Sequence, residues 1–171
     1  MASSLKNLST YDDNEIKDIS KYSFGIVVSD WNKEITHKLF EGCYDTLLLH
    51  QADNEKIHIY QVPGAFELPA GSKLLMSKYK LDVVICLGCV IKGDTMHDEY
   101  INNAVAQGLM NLSVISGKPQ IFGVLTTMNL QQAIDRAGGL HGNKGVEAAY
   151  TAIRMAQLKD DATFTKNSIG F

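Results

Sequence analysis

Apolar and polar positions follow two periods along this chain. Four short runs, FGIVVS (Phe24–Ser29), IHIYQV (Ile57–Val62), DVVICLG (Asp82–Gly88) and QIFGVLT (Gln120–Thr126), are rich in β-branched side chains and read as buried strands. Between and after them the period changes to 3.6 residues. Ile35, Leu39, Cys43, Thr46 and Leu47 form one helical stripe, Ile101, Val105, Leu109 and Leu112 a second, and Val146, Ala149, Ile153 and Ala156 a third. Strands separated by helix-length segments predict a parallel sheet, because parallel neighbours require crossover connections. The expected fold class is α/β: a three-layer α/β/α sandwich, flavodoxin-like, around a four-stranded parallel sheet. Residues 1–21 are polar without a sustained period and read as an N-terminal arm, 22–159 as one domain, and 160–171 as a frayed C-terminal tail. No repeat or Pro/Gly-rich linker interrupts the central segment.

Composition narrows the function class. The chain has 171 residues, 45% of them hydrophobic, which suits one domain with a substantial core. Sixteen basic against 19 acidic residues leave a formal charge of -3, so there is no basic excess for a nucleic-acid footprint. No run approaches the ~20 apolar residues of a membrane span, and the N-terminus lacks the apolar segment of an export signal. The expectation is a cytoplasmic protein with no membrane or nucleic-acid partner. Cys43, Cys86 and Cys89 are an odd number in a chain that needs no staples, and they are expected as free thiols.

Ligands of open parallel sheets collect outside the carboxyl ends of the strands, so the segments after each strand hold the candidate chemistry. After the first strand, Trp31 is the only tryptophan, at a helix start, where its face could stack on a heterocycle; the competing reading is a core plug. After the second, Pro63-Gly64 sets a tight turn that leaves N–H groups at the next helix start, where Glu67 could accept hydroxyl protons or only complement the dipole. After the third, Lys92-Gly93-Asp94-Thr95-Met96-His97-Asp98 is the densest polar cluster. Its backbone donors and the Thr95 hydroxyl suit a phosphate, although Thr95 and Asp98 also match a capping box. His97 sits where the helix dipole favours the neutral ring that a general base needs. After the fourth, Arg136 is one of two arginines and a reasonable anion clamp, with dipole complementation as its structural alternative.

Other motifs lose support. No register gives GxxxxGK[ST], and no GxGxxG follows a strand. Cys86 and Cys89 are three apart along a strand and face opposite sides, which argues against chelation or a redox pair. The five histidines show no ligand spacing with carboxylates or thiols, so no metal is expected.

Taken together and in order, SDWN, VPGAFELP, GCVIKGDTMHDEY, FGVLTTMNLQQAIDRAG and GNKGVEAA closely resemble the 6,7-dimethyl-8-ribityllumazine synthase family, over about Tyr22 to Leu158. The resemblance implies a cofactor-free condensation of 5-amino-6-(D-ribitylamino)uracil with 3,4-dihydroxy-2-butanone 4-phosphate, the penultimate step of riboflavin biosynthesis. It implies that Trp31 stacks on the pyrimidine, that Ala65, Phe66 and Glu67 hold the ribityl chain, and that Cys89, Val90 and Ile91 contact the pyrimidine through their backbone. Phe122 matches an aromatic lent by a neighbouring subunit. Asp94 and Thr95 match the phosphate-binding turn, Arg136 the phosphate clamp, Lys144 a secondary cation, and His97 the proton-transfer residue. The resemblance further implies a homo-oligomer with shared active sites. Members form pentamers, and some build icosahedral shells of twelve pentamers, which the short Gly138-to-Gly142 link resembles. Riboflavin synthase is the partner enzyme this implies, and an N-terminal strand would cover a neighbour's sheet edge.

Two departures matter. Asp94 sets a carboxylate beside a phosphate, which requires its side chain to turn outward. Leu140 stands where some members have lysine. Three rivals remain: a flavin-binding or shell-forming protein without turnover, a flavodoxin-like electron carrier, and a thiol oxidoreductase built on Cys86 and Cys89.

Overall fold

The computed structural model describes residues 16 and 18–168, with side chains to 162. Strands β1 (Phe24–Ser29), β2 (Ile57–Val62), β3 (Val83–Ile91) and β4 (Gln120–Thr127) form one parallel sheet in the order β2-β1-β3-β4. The expected α/β sandwich is thus the observed one. β1 is buried throughout and β3 at every residue but Ile91, which is why their sequences are nearly continuous apolar runs. β2, at an edge, alternates in burial instead.

Two helices cover each face. On one side α1 (Lys33–Leu49) and α5 (Lys144–Ser168) pack against Phe24, Ile26, Ile85, Leu87 and Leu125. On the other, α2 (Leu68–Lys78) and α3 (His97–Ser116) bury Leu75, Val105 and Leu109 against Val27, Val84 and Val124. The predicted α1 stripe is buried at every position, whereas Ile101 and Leu112 at the ends of the α3 stripe are half-buried. Cys86 belongs to one core and Cys89 to the other, as their spacing in a strand requires.

α1 and α5 approach closely near the start of α5. A Cβ on Gly145 would lie 1.8 Å from the Leu39 carbonyl oxygen, so only glycine fits there. Asn143 fastens the same corner: its Nδ2 donates to the Lys38 carbonyl (2.8 Å), and its Oδ1 accepts from the Gly145 N–H (2.7 Å).

Three segments differ by more than one residue from expectation. β3 continues through Cys89, Val90 and Ile91, because pairing with β4 persists to the Ile91–Thr127 register and two of the three residues are β-branched. After α4 (Leu130–Asp135) the short Gly138-to-Gly142 link is part of an antiparallel hairpin, β5 (Ala137–Gly139) with β6 (Gly142–Asn143), in which Gly138 and Gly142 have positive φ. α5 runs to Ser168, through much of the expected frayed tail, since no Gly or Pro interrupts it before Gly170. At the other end, Ile19 is fully buried in the α1/α5 core; residues 1–15 and 17 of the expected arm lie outside the described residues.

Candidate active site

β1 lies between β2 and β3, and the helices that follow β1 and β3 start on opposite faces. The carboxyl ends of these two strands therefore diverge, and a cleft of about 680 Å³ opens there, within the usual range for a small-molecule site.

Backbone and side-chain bonds lock the three strand ends that form it. The N–H groups of Asp30 and Trp31 donate to the carbonyls of Val62 (2.8 Å) and Pro63 (3.0 Å), which fixes the β1 loop to the β2 loop. Asn32 then takes a left-handed conformation (φ 60°), and its Nδ2 donates to the Cys89 carbonyl at 2.9 Å, tying the same loop to β3. Asparagine tolerates this conformation better than other non-glycine residues. Held this way, Trp31 stands 71% exposed over the cleft, so it is not a core plug.

The β2 loop leads through Pro63 and Gly64 into a 3₁₀ turn, Ala65–Glu67, before α2 begins. Ala65 is buried and forms the floor, while Phe66 and Glu67 are exposed at the cleft wall. Gly88 of β3 lies next to this turn, and a Cβ there would stand 3.0 Å from the end of the Leu68 side chain.

β3 ends in a turn, Lys92–Met96, anchored by the Lys92 N–H donating to the Thr127 carbonyl (2.8 Å). α3 starts at His97 with Met96 as its N-cap and no side-chain capping bond. The capping box expected of Thr95 and Asp98 is therefore not formed, because the helix starts one residue later than that motif requires. The Thr95 hydroxyl remains exposed in the cleft wall beside His97. Asp98 Oδ1 is shielded from solvent and has no hydrogen-bond partner.

Nine of the candidate residues line this one cleft: Trp31, Ala65, Phe66, Glu67, Cys89, Val90, Ile91, Thr95 and His97. Asp94 is exposed on the adjacent turn but does not line it. Phe122, Arg136 and Lys144 lie elsewhere on the chain. Phe122 is partly exposed on the edge strand β4. Arg136, at the end of α4, places Nη1 2.7 Å from Glu147 Oε1 and donates from the same atom to the His141 carbonyl (3.0 Å). Lys144 Nζ lies 3.1 Å from Glu147 Oε2. Among the described residues the cleft lining thus holds two carboxylates, Glu67 and Asp98, and neither lysine nor arginine.

Sequence reasoning missed Asn32, Tyr100, Asp98 as a lining residue, and Glu147. A helix-start asparagine beside the tryptophan was a usable signal for the first, and Tyr100, three residues after His97, shares its helix face. Only its spacing of three residues from Lys144 marked Glu147 locally. The thiol reading has no support in the geometry. Burial pushes the Cys89 thiol up to about 11 and the Cys86 thiol up to about 12, so neither is a thiolate near neutrality.

Comparison with known proteins places this architecture. The family model of 6,7-dimethyl-8-ribityllumazine synthase matches residues 21–160. Three similar proteins carry that same name. That of Parabacteroides distasonis is 51% identical over 92% of this chain and 99% of its own length. That of Cytophaga hutchinsonii is 52% identical over 91% and 97%, and that of Flavobacterium psychrophilum 49% over 95% and 86%. With its cleft at the sheet's switch point and these relatives along nearly its whole length, the chain belongs to the 6,7-dimethyl-8-ribityllumazine synthase family.

Proposed function

We propose that the chain catalyses the condensation of 5-amino-6-(D-ribitylamino)uracil with 3,4-dihydroxy-2-butanone 4-phosphate to 6,7-dimethyl-8-ribityllumazine, the penultimate step of riboflavin biosynthesis. The observation that carries this reading is the convergence of Trp31, the Ala65–Glu67 turn and His97 on one cleft, in a chain of this family. Trp31 presents a flat face to a pyrimidine. Glu67 and the backbone of the 3₁₀ turn supply acceptors and donors for a polyol. The ends of β3 at Cys89, Val90 and Ile91 border the ring.

The chemistry asks for positioning and proton movement more than for a strong nucleophile. The 5-amino group adds to the ketone and loses water to form an imine, phosphate leaves by elimination, and the ribitylamino nitrogen closes the ring with loss of a second water. His97, on the cleft wall beside Thr95, moves protons between these steps. The Thr95 hydroxyl and the N–H groups of the turn before α3 receive the phosphate, with the Asp94 side chain turned outward.

A dianionic phosphate needs positive charge that the cleft lining lacks. A second copy of the chain supplies it: Arg136 and Lys144 reach the cleft from the neighbour together with Phe122. The protein therefore works as a homo-oligomer in the cytoplasm, a pentamer that can build an icosahedral shell and associate with riboflavin synthase.

The test is an assay with both synthetic substrates against a no-enzyme control. Product above background, with a raised KM for the butanone phosphate in Arg136→Ala, supports the reading; no excess rate from a folded oligomer overturns it. Sharing of sites is checked by co-expressing His97→Ala with Arg136→Ala. Mixed oligomers regain about a quarter of the intact sites if each site draws on two chains, and none if it does not.

A further inference from the structure

We propose that Glu147 is a positioning residue for phosphate recognition, holding Arg136 and Lys144 together as a pre-formed cation pair. The inference rests on the reading of those two residues as phosphate anchors. Glu147 lies in the first turn of α5 and is buried. Its two carboxylate oxygens face different cations: Oε1 lies 2.7 Å from Arg136 Nη1 as an ion pair outside hydrogen-bond geometry, and Oε2 accepts from the Lys144 ammonium at 3.1 Å.

The position of the three residues explains why one carboxylate can do this. Arg136 ends α4 and Lys144 begins α5, with the β5–β6 hairpin between them, and the Lys144 N–H donates to the Arg136 carbonyl at 2.8 Å. Glu147 therefore closes the base of the hairpin, one helical turn from Lys144. Both cationic side chains are largely buried, 17% and 29% exposed. Two like charges that close together and shielded from water repel strongly, and without an anion between them they would part. With Glu147 between them, the trio keeps a net charge of one positive unit. Both contacts of the guanidinium run through Nη1, so its Nε and Nη2 edge is not spent on them. That edge is the one suited to two phosphate oxygens. Orientation is set before the anion arrives, which lowers the ordering cost of binding.

The sign of one substitution decides between positioning and simple charge. Glu147→Gln keeps the shape and raises the local charge by one unit. If Glu147 only offset positive charge, that change would tighten phosphate binding. If Glu147 positions the pair, the cations separate, and KM for the butanone phosphate rises by about 10-fold, the scale of one charge-assisted hydrogen bond. In that case kcat and the KM for the ribitylaminouracil stay within about 2-fold, and inhibition by inorganic phosphate weakens in parallel. Glu147→Asp, which keeps the charge on a shorter stem, falls between wild type and Glu147→Gln, and provides the reading if the glutamine variant does not fold. Melting temperature and oligomer size, measured for each variant, separate these effects from loss of structure. A folded Glu147→Gln with unchanged or lowered KM for the phosphate substrate overturns the proposal, as does a fall in kcat alone. Arg136→Ala and Lys144→Ala distinguish the two levels of failure. If neither raises that KM, the anchor reading itself is wrong; if they do and the Glu147 variants do not, only the positioning role is wrong.

Discussion

At the residue scale, the groups exposed on the cleft wall are distinct from the groups that hold them in place. His97→Ala is expected to slow turnover by about 10- to 1000-fold while leaving product above background, since one general acid–base group contributes on that scale and positioning supplies the rest. Lumazine formation followed by absorbance checks it, and complete loss from a folded protein would contradict it. Trp31→Ala is expected to raise KM for the ribitylaminouracil by about 10-fold with a smaller effect from Trp31→Phe, because the tryptophan is exposed at the cleft and an aromatic ring can stack there. Trp31, Thr95 and His97 were legible in the sequence because each follows a strand end. The Thr95–Asp98 tetrad matches a capping box in sequence and forms none, since a matching tetrad does not by itself determine where a helix starts. Asn32 acts through a partner 57 residues away, and Glu147 through Arg136 on a separate element as well as Lys144 one turn back on its own helix; the contacts across elements have no local pattern to encode them.

Elements carry the second level of the design. The limits of β1 and β2 were readable to the residue because both end at turn chemistry, Ser29-Asp30 and Pro63-Gly64. β3 was underestimated because Gly88 looks like a stop. It continues the strand where a Cβ would crowd the Leu68 side chain at 3.0 Å. The β5–β6 hairpin was not legible, since two or three paired residues give no period. The α1–α5 corner yields the sharpest element-level expectation. Gly145→Ala would drive a methyl group into the Leu39 carbonyl and separate the two helices. It is expected to cost about 3 kcal/mol, a fall in Tm of roughly 10 °C measured by calorimetry. Gly93→Ala provides the control, because a Cβ there meets nothing within 4 Å.

For the whole molecule, the free cysteines set an alkaline limit. Burial raises Cys86 to about 12 and Cys89 to about 11 from an ordinary value of 9.0, so the folded chain binds these protons more tightly than the unfolded one. Their contribution to stability is fully present below pH 9 and is lost as pH rises above it toward those folded values. Denaturant midpoints measured from pH 8 to 11 should fall over that window, and Cys86→Ala should flatten the fall. The same burial predicts that thiol alkylation of the native protein at pH 8 leaves activity unchanged. The close packing of α5 has a further consequence, for the order in which the protein is made. α5 follows every strand that it covers, so during translation Phe24, Ile26, Ile85 and Leu87 emerge before the helix that shields their face. At ordinary ribosomal speed this interval is on the order of seconds. Throughout it the nascent chain displays apolar sheet surface that α5 has not yet covered, the kind of surface that makes a folding intermediate prone to aggregate.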